Sequence, residues 1–260
     1  MENTAQAGYM AATEIAEGGA YAWRLPPDPR CASIGRSLVH GTLTALRLPG
    51  ELVDAAVLSV SELATNALNH GLRAGPYDPV VPPELWIWRR TTPAPQLVVA
   101  VFDTCRTAWP DATPGDLLAE NGKGLGIVGV VSGAWGAHLS RSRFHAVPGG
   151  GPASGKVVWS AFTLTGPWPG MRRIATPSAA AQGLAAALSA RGIENVAHRH
   201  EVRVSLVSVP LSKNGGLNVW VRPGGFTFTD LRGARVHRPV ADLHDVAEHL
   251  VRRIEESDVG

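Results

Sequence analysis

The sequence predicts an α+β chain built as two consecutive units, on three observations. Two long helical stretches precede a group of strand-like runs, and one of those runs, Leu97 to Phe102, is apolar with no alternation. A segment apolar on both faces belongs in the interior of a sheet. The third observation is GPWPG at 166–170, a cluster of breakers beyond which a shorter helix–strands–helix succession begins. The expected organisation is a loose leader at 1–19, a first unit at 20–168, a linker at 169–177 and a small α+β unit at 178–260.

In chain order, residues 1–19 are small and polar without an apolar period. A short strand is expected at Tyr21–Leu25 and a helix at Pro29–Leu46. A second helix is expected at Glu51–Asn69, entered through Pro49-Gly50 and stopped by Gly71, where glycine would take the left-handed cap. LWIWRR and QLVVAVFD read as strands about the turn Thr92-Pro93-Ala94-Pro95, with Leu97–Phe102 central and helices on one side. Residues 104–123 are irregular, the kind of long segment usually kept for function. LGIVGVVSGAWGAHLS reads as a short helix and a strand, and GKVVWSAFTL as a further strand after a glycine-rich insertion at 148–155.

In the second unit a helix is expected near Ser178–Ala190. EVRVSLVSV and LNVWVR form a hairpin across Lys213-Asn214-Gly215-Gly216, since Asn-Gly supplies the positive φ angles of a tight turn. FTFT adds a short strand. The last helix opens at Pro239, with Val240, Leu243, Val246, Leu250 and Ile254 on one stripe and Arg252 and Arg253 near its end.

Composition narrows the function. With 260 residues, 45% hydrophobic against 18% charged, the chain buries a real core and is not a disordered polymer. The formal net charge is +2, and the halves before and after Ile174 are each balanced, so a nucleic-acid-binding body is disfavoured. Cys31 and Cys105 make no disulfide framework, and no apolar run approaches the roughly 20 residues that span a bilayer. No secretion signal is legible at the amino terminus, and the expected location is cytoplasmic, away from membranes.

The most informative stretch is SELATNALNHG, Ser61–Gly71. At roughly 100° per residue, Val53, Ala56, Val57, Val60, Leu63, Ala64, Ala67 and Leu68 share one face, and Ser59, Glu62, Asn66, Asn69 and His70 the other. Glu62 and Asn66 are one turn apart, with Cβ atoms about 5–6 Å from each other. A carboxylate able to take a proton and an amide oxygen suited to a hard cation would thus share one site; a solvated polar face is the alternative. Asp103 ends the buried strand, where its carboxylate could accept a hydrogen bond from the exocyclic amine of adenine, or could simply close an Asx turn. NGKGLGIVGVV sets Gly122, Gly124 and Gly126 directly before an apolar helix, where backbone N–H groups could approach phosphate oxygens; an ordinary flexible turn reads equally well. His198 and His200 alternate on a strand without an identified third ligand, and read as a surface pair. Cys105 lacks the partners of a nucleophile. The eight tryptophans read as core or lid packing.

Taken in order, WRLPPDP, LPGELVDAAVLSVSELATNALNHG, VVAVFDT, NGKGLGIVGVVSGAWG and GKVVWSAF resemble the anti-sigma-factor serine/threonine kinases of the histidine-kinase-like (GHKL) ATPase superfamily, over Tyr21–Leu164. The resemblance implies a two-layer α/β sandwich that binds ATP and Mg²⁺. It implies that Asn66 is the metal ligand, that Glu62 is the catalytic base, and that Asp103 binds adenine. Gly122, Lys123, Gly124, Leu125 and Gly126 would then line the phosphates under a lid. It further implies a homodimer, and a transcription-regulatory partner, a sigma factor or an anti-sigma antagonist, phosphorylated on serine. The 178–260 unit lies outside the likeness and is expected to bind a partner or form a dimer. One departure stands out: the family's Asp-x-Gly-x-Gly is replaced by Asp103-Thr104-Cys105-Arg106-Thr107. Side chains then stand under the base, with Arg106 an expected source of crowding, and weak ATP affinity or a pocket ordered by a partner follows. Two rivals remain: a non-catalytic binding module with a degenerate pocket, and an ATPase that drives a partner's conformation.

Overall fold

The computed structural model describes residues 18–71, 80–110, 123–143, 151–166, 176–211, 215–230 and 232–259. The first unit contains β1 (Ala20–Arg24), α1 (Arg30–Ala45), α2 (Gly50–Gly71), β2 (Glu84–Arg90), β3 (Gln96–Asp103), α3 (Lys123–Val131), β4 (Ala134–Ser142) and β5 (Ala153–Thr163). The strands form one sheet in the order β1-β2-β3-β5-β4, every pair antiparallel. β3 is its middle strand and all eight of its residues are buried, as its unalternating composition requires.

The near face of this sheet, with Leu85, Ile87, Leu97, Val99, Val101 and Phe162, packs on apolar residues of α1, α2 and α3. Ser59, placed by periodicity on the polar face of α2, is instead fully buried. Its hydroxyl donates to Ser160 Oγ at 2.7 Å, and Ser160 donates on to the Val99 carbonyl at 3.3 Å, so the polar group is satisfied within the core.

The second unit contains α4 (Pro177–Ala190), β6 (Ala197–Glu201), β7 (Val204–Leu211), β8 (Gly215–Arg222), β9 (Gly225–Thr229), β10 (Arg235–Pro239) and α5 (Leu243–Val259), the last entered through a 3-10 turn at Val240–Asp242. Its sheet runs β10-β9-β8-β7-β6, also antiparallel. Thr176 caps α4 by accepting from Ala179 N at 3.2 Å, with proline in the first turn. Leu184 and Leu188 of α4 and Leu243, Val246, Leu250 and Ile254 of α5 pack on one face of the sheet. The stripe read from the last helix is therefore its buried side. The chain is α+β, as expected.

Several local expectations change. EVRVSLVSV is not one strand: it turns at Val202-Arg203, with Val202 94% exposed, so that β6 pairs back on β7. β10 was not expected, because an edge strand of sequence RVHRP carries little apolar signal. Gly71 is the last helical residue of α2 and does not adopt a left-handed cap. Gly155 lies inside β5 rather than in a preceding insertion, and Gly124 and Gly126 lie inside α3 rather than before it. Pro177 belongs to α4 and not to a linker. Gly18, at the end of the expected leader, packs on α5, where an added Cβ would lie 2.5 Å from Leu243 Cβ. Residues 167–170 of the GPWPG boundary, and the Lys213-Asn214 part of the hairpin turn, lie outside the described residues. Among the described residues no helix is long and apolar enough to cross a membrane.

The far face of the first sheet is also apolar, with Trp86, Trp88, Val98, Ala100, Phe102 and Val157. The second unit covers it, chiefly through α5. Because α5 presents acids there, each is bonded. Glu248 accepts from Arg191 Nε at 2.6 Å and Ser140 Oγ at 2.9 Å and stands 3.3 Å from His138 Nε2. Asp245 accepts from Trp88 Nε1 at 2.8 Å, and Asp242 from Thr91 N at 2.5 Å and Thr91 Oγ1 at 2.8 Å. Glu255 accepts from Arg106 Nη1 at 2.8 Å, Ser154 Oγ at 3.1 Å and Arg141 Nε. The Arg191 guanidinium lies 3.5 Å from the Trp86 ring centroid, a desolvated cation–π contact.

Burial and the nearby Arg191 push the His244 imidazole down to about 3, and burial pushes the Asp245 carboxyl up to about 6. Burial would also raise Glu248, but Arg191 and His138 outweigh it and hold that carboxyl far below its ordinary range. A lowered His244 makes the unfolded chain the better proton acceptor, so stability is lost as pH falls from 6.5 toward about 3. A raised Asp245 acts oppositely, with stability lost as pH rises from 3.8 through about 6. The two compensate where these windows overlap, and Glu248 adds acid lability below 4.5. Asp245→Asn should therefore steepen the rise of stability between about pH 4 and 6, read as urea midpoints against pH; an unchanged slope refutes it. Glu248→Ala, which strands the buried Arg191, should cost about 3–5 kcal/mol in the same measurement.

Candidate functional site

Glu62 and Asn66 both lie partly exposed on α2, one turn apart, on the side the periodicity assigns them. The first turn of α3 comes up against Glu62. A Cβ added at Gly124 would overlap Glu62 Oε2 and lie 3.4 Å from Glu62 Cδ, so a larger residue there would push the Glu62 carboxylate aside. The N–H groups of the first turn of α3, and the positive end of its dipole, are thereby brought beside Glu62. Leu125 packs into the main core and Gly126 is exposed, an added Cβ there meeting nothing within 4 Å. Of the expected phosphate-lining residues, Gly124 is thus the one in contact with Glu62. Gly122 and the side chain of Lys123 lie outside the described residues.

Asp103 closes β3 beside the end of α2. A Cβ added at Gly71 would lie 2.6 Å from Asp103 Cβ, and Thr104 Oγ1 donates to the Gly71 carbonyl at 3.2 Å. The need for glycine at 71 is therefore close approach, not a positive φ. Asp103 Oδ1 accepts from Lys156 Nζ at 2.7 Å and from Cys105 N at 2.8 Å, the second bond closing an Asx turn. Lys156 is directly opposite in register on β5, fully buried, and also donates to the Cys105 carbonyl at 2.9 Å. Burial raises the Asp103 carboxyl, against the lowering influence of Lys156 and of the Cys105 N–H. Lys156 was not singled out by the sequence, although it is one of three lysines and the sole charge in an apolar strand; its role depends on the β3–β5 register.

Arg106 reaches away from this site to Glu255 on α5, so it does not crowd the space beside Asp103. Cys105 is partly exposed; burial raises its thiol, but hydrogen bonds from Ala108 and Thr107 and the charge of Lys156 bring it below the ordinary value. Cys31 is buried under α2 and its thiol is pushed up to about 11 by burial. His198 and His200 lie on β6, and His200 Nδ1 is 2.9 Å from Ser205 Oγ. Among the described residues no three His, Cys, Asp or Glu side chains cluster as metal ligands. Among the described residues two tryptophans depart from core packing, Trp109 at 48% and Trp220 at 43% exposure.

The arrangement offers a carboxylate and an amide on α2, the carboxylate beside a helix start, and, just beyond them at the C-terminal end of α2, a carboxylate held by an internal lysine. Lys156→Met should cost about 3–5 kcal/mol by leaving Asp103 charged, buried and without its cation. The double variant Asp103→Leu/Lys156→Met should recover part of that loss in urea denaturation, and a double variant as unstable as the single refutes the pairing.

No protein-family model matches the chain, and no curated protein matches its sequence.

Proposed function

We propose that the first unit binds ATP with Mg²⁺ and that the protein is a regulator of the anti-sigma-factor kinase type, acting on a serine of a transcription-regulatory partner. The observation that carries this reading is the meeting of Glu62, one turn before Asn66 on α2, with Gly124 in the first turn of α3. The residues suit a metal–phosphate group at this end. Mg²⁺ bound there would neutralise phosphate charge. Asn66 supplies an amide oxygen for the metal, the first turn of α3 supplies N–H donors for phosphate oxygens, and Glu62 takes the proton of an incoming hydroxyl. Catalysis on this scheme is mostly positioning and charge neutralisation.

A second reading, a non-catalytic module with a degenerate pocket, is favoured by Asp103. Its Oδ1 is held by Lys156 and the Cys105 N–H, which leaves less of the carboxylate for an adenine amine. A charge-assisted bond of that kind is worth about 1.5–3 kcal/mol, so its loss weakens ATP roughly ten- to a hundredfold. An ATPase would use the same Glu62 on water.

Calorimetric titration with ATP, with and without Mg²⁺, should show metal-dependent binding weakened at least about tenfold, or ~1.4 kcal/mol, by Asn66→Ala. Unchanged affinity in the variant and without metal refutes the role of Asn66. Labelled ATP then separates the activities: transfer to a partner that is lost in Glu62→Ala supports the kinase, free phosphate the ATPase, and binding without either the degenerate module.

A further inference from the structure

The second unit holds an opening that the nucleotide reading leaves unused. β8 pairs with β7 along Gly215–Val221, but with β9 only at Trp220↔Thr227, Val221↔Phe226 and Arg222↔Gly225. Before Trp220 the strands part, and the gap is a cavity of about 540 Å³. One wall of it is cationic, with Arg222, Arg235 and Arg253, and no carboxylate is found among the described residues that line it. Leu217, Phe228 and Leu250 make its inner side apolar.

The register states which backbone groups face the gap. Pro210 has no N–H, so its pair with Gly216 is a non-hydrogen-bonded one. Antiparallel alternation then turns the N–H and C=O groups of Gly216, Asn218, Trp220 and Arg222 away from β7 and toward β9. The tight turn that closes Arg222↔Gly225 agrees with this. Trp220 and Arg222 have partners on β9, whereas among the described residues the pairing stops before Asn218, and Gly216 lies beyond the end of β9 at Thr229. Arg253 explains why: its Nη1 donates to the Thr229 carbonyl, the acceptor that a continued ladder would offer to Asn218. The guanidinium occupies that carbonyl and leaves the Asn218 edge of β8 without a β9 partner among the described residues.

We propose that this opening binds an extended acidic segment of a partner protein, added as a strand along Gly216–Asn218 of β8. A peptide offers N–H groups to the carbonyls of Gly216 and Asn218 as well as carbonyls to their N–H groups. A phosphate or nucleic-acid backbone offers acceptors alone and would meet those carbonyls with like partial charge. Because side chains alternate along a strand, the segment it fits alternates too, with acids toward Arg222, Arg235 and Arg253 and apolar residues toward Leu250. The exposed Trp220 adds a flat surface at one end of the groove.

The test uses the full chain and a fluorescein-labelled octapeptide of alternating Glu and Val, read by anisotropy and by amide hydrogen exchange. Saturable binding is expected, weakened at least about tenfold by Arg222→Glu/Arg235→Glu, with slowed exchange at the Gly216 and Asn218 amides. Both arginines are exposed, and Trp220→Ala supplies an uncharged second variant that should also weaken binding. The proposal is overturned by no binding, by equal binding of a Lys–Val octapeptide, or by full affinity in both variants. Binding without amide protection, or capture of oligothymidylate in place of the peptide, overturns it as well.

Discussion

The requirement that a sheet buried on both faces be covered on both faces governs this molecule. β3 is buried along its whole length and apolar from Leu97 to Phe102, and α1–α3 cover only one side of it. The other side, with Trp86, Trp88 and Phe102, is covered by a helix that carries Asp245, Glu248 and Glu255 into the contact. Taking carboxylates out of water costs several kcal/mol each unless donors meet them. Those donors come from both units: His138, Ser140, Arg141, Ser154 and Trp88 from the first, Arg191 from the second. The two sheets are therefore joined by polar groups set within an apolar contact, which fixes their register as well as their proximity.

The same contact reaches the candidate site. Glu255 holds Arg106, three residues beyond Asp103, while Lys156 holds both the Asp103 carboxylate and the Cys105 carbonyl. The segment 103–106 is thus fastened at one end to β5 and at the other to α5. A glycine-rich sequence at these positions would lack the guanidinium that makes the second attachment. Arg106 accordingly has a definite use at this position.

Much of the first unit was legible because its signals are local. The helical periods of α1 and α2, the breakers around Pro93, and the unalternating run of β3 each specify an element without reference to its neighbours. Glu62 and Asn66 were legible for the same reason, since one helical turn brings them together. What escaped depends on contacts distant in sequence. Ser59 is buried because Ser160 is waiting for it, Lys156 is tolerated in a core because Asp103 is its register partner, and Gly71 is needed because β3 ends against α2. β10 escaped because an edge strand need be apolar on neither face, and the break at Val202 because a valine in a turn reads as a valine in a strand.

The cover that α5 provides also bears on how separable the units are. Each has its own apolar centre, which by itself suggests that either half could be produced alone. Excising the second half, however, would bare Trp86 and Trp88 to solvent and leave Arg141 without the Glu255 carboxylate. The excised fragment would in turn carry Asp245, Glu248 and Glu255 on α5 with most of their donors gone. Modularity in the sequence therefore does not carry over into autonomy: the halves were shaped as halves, and a truncated first unit would expose a sticky tryptophan-rich sheet prone to self-association.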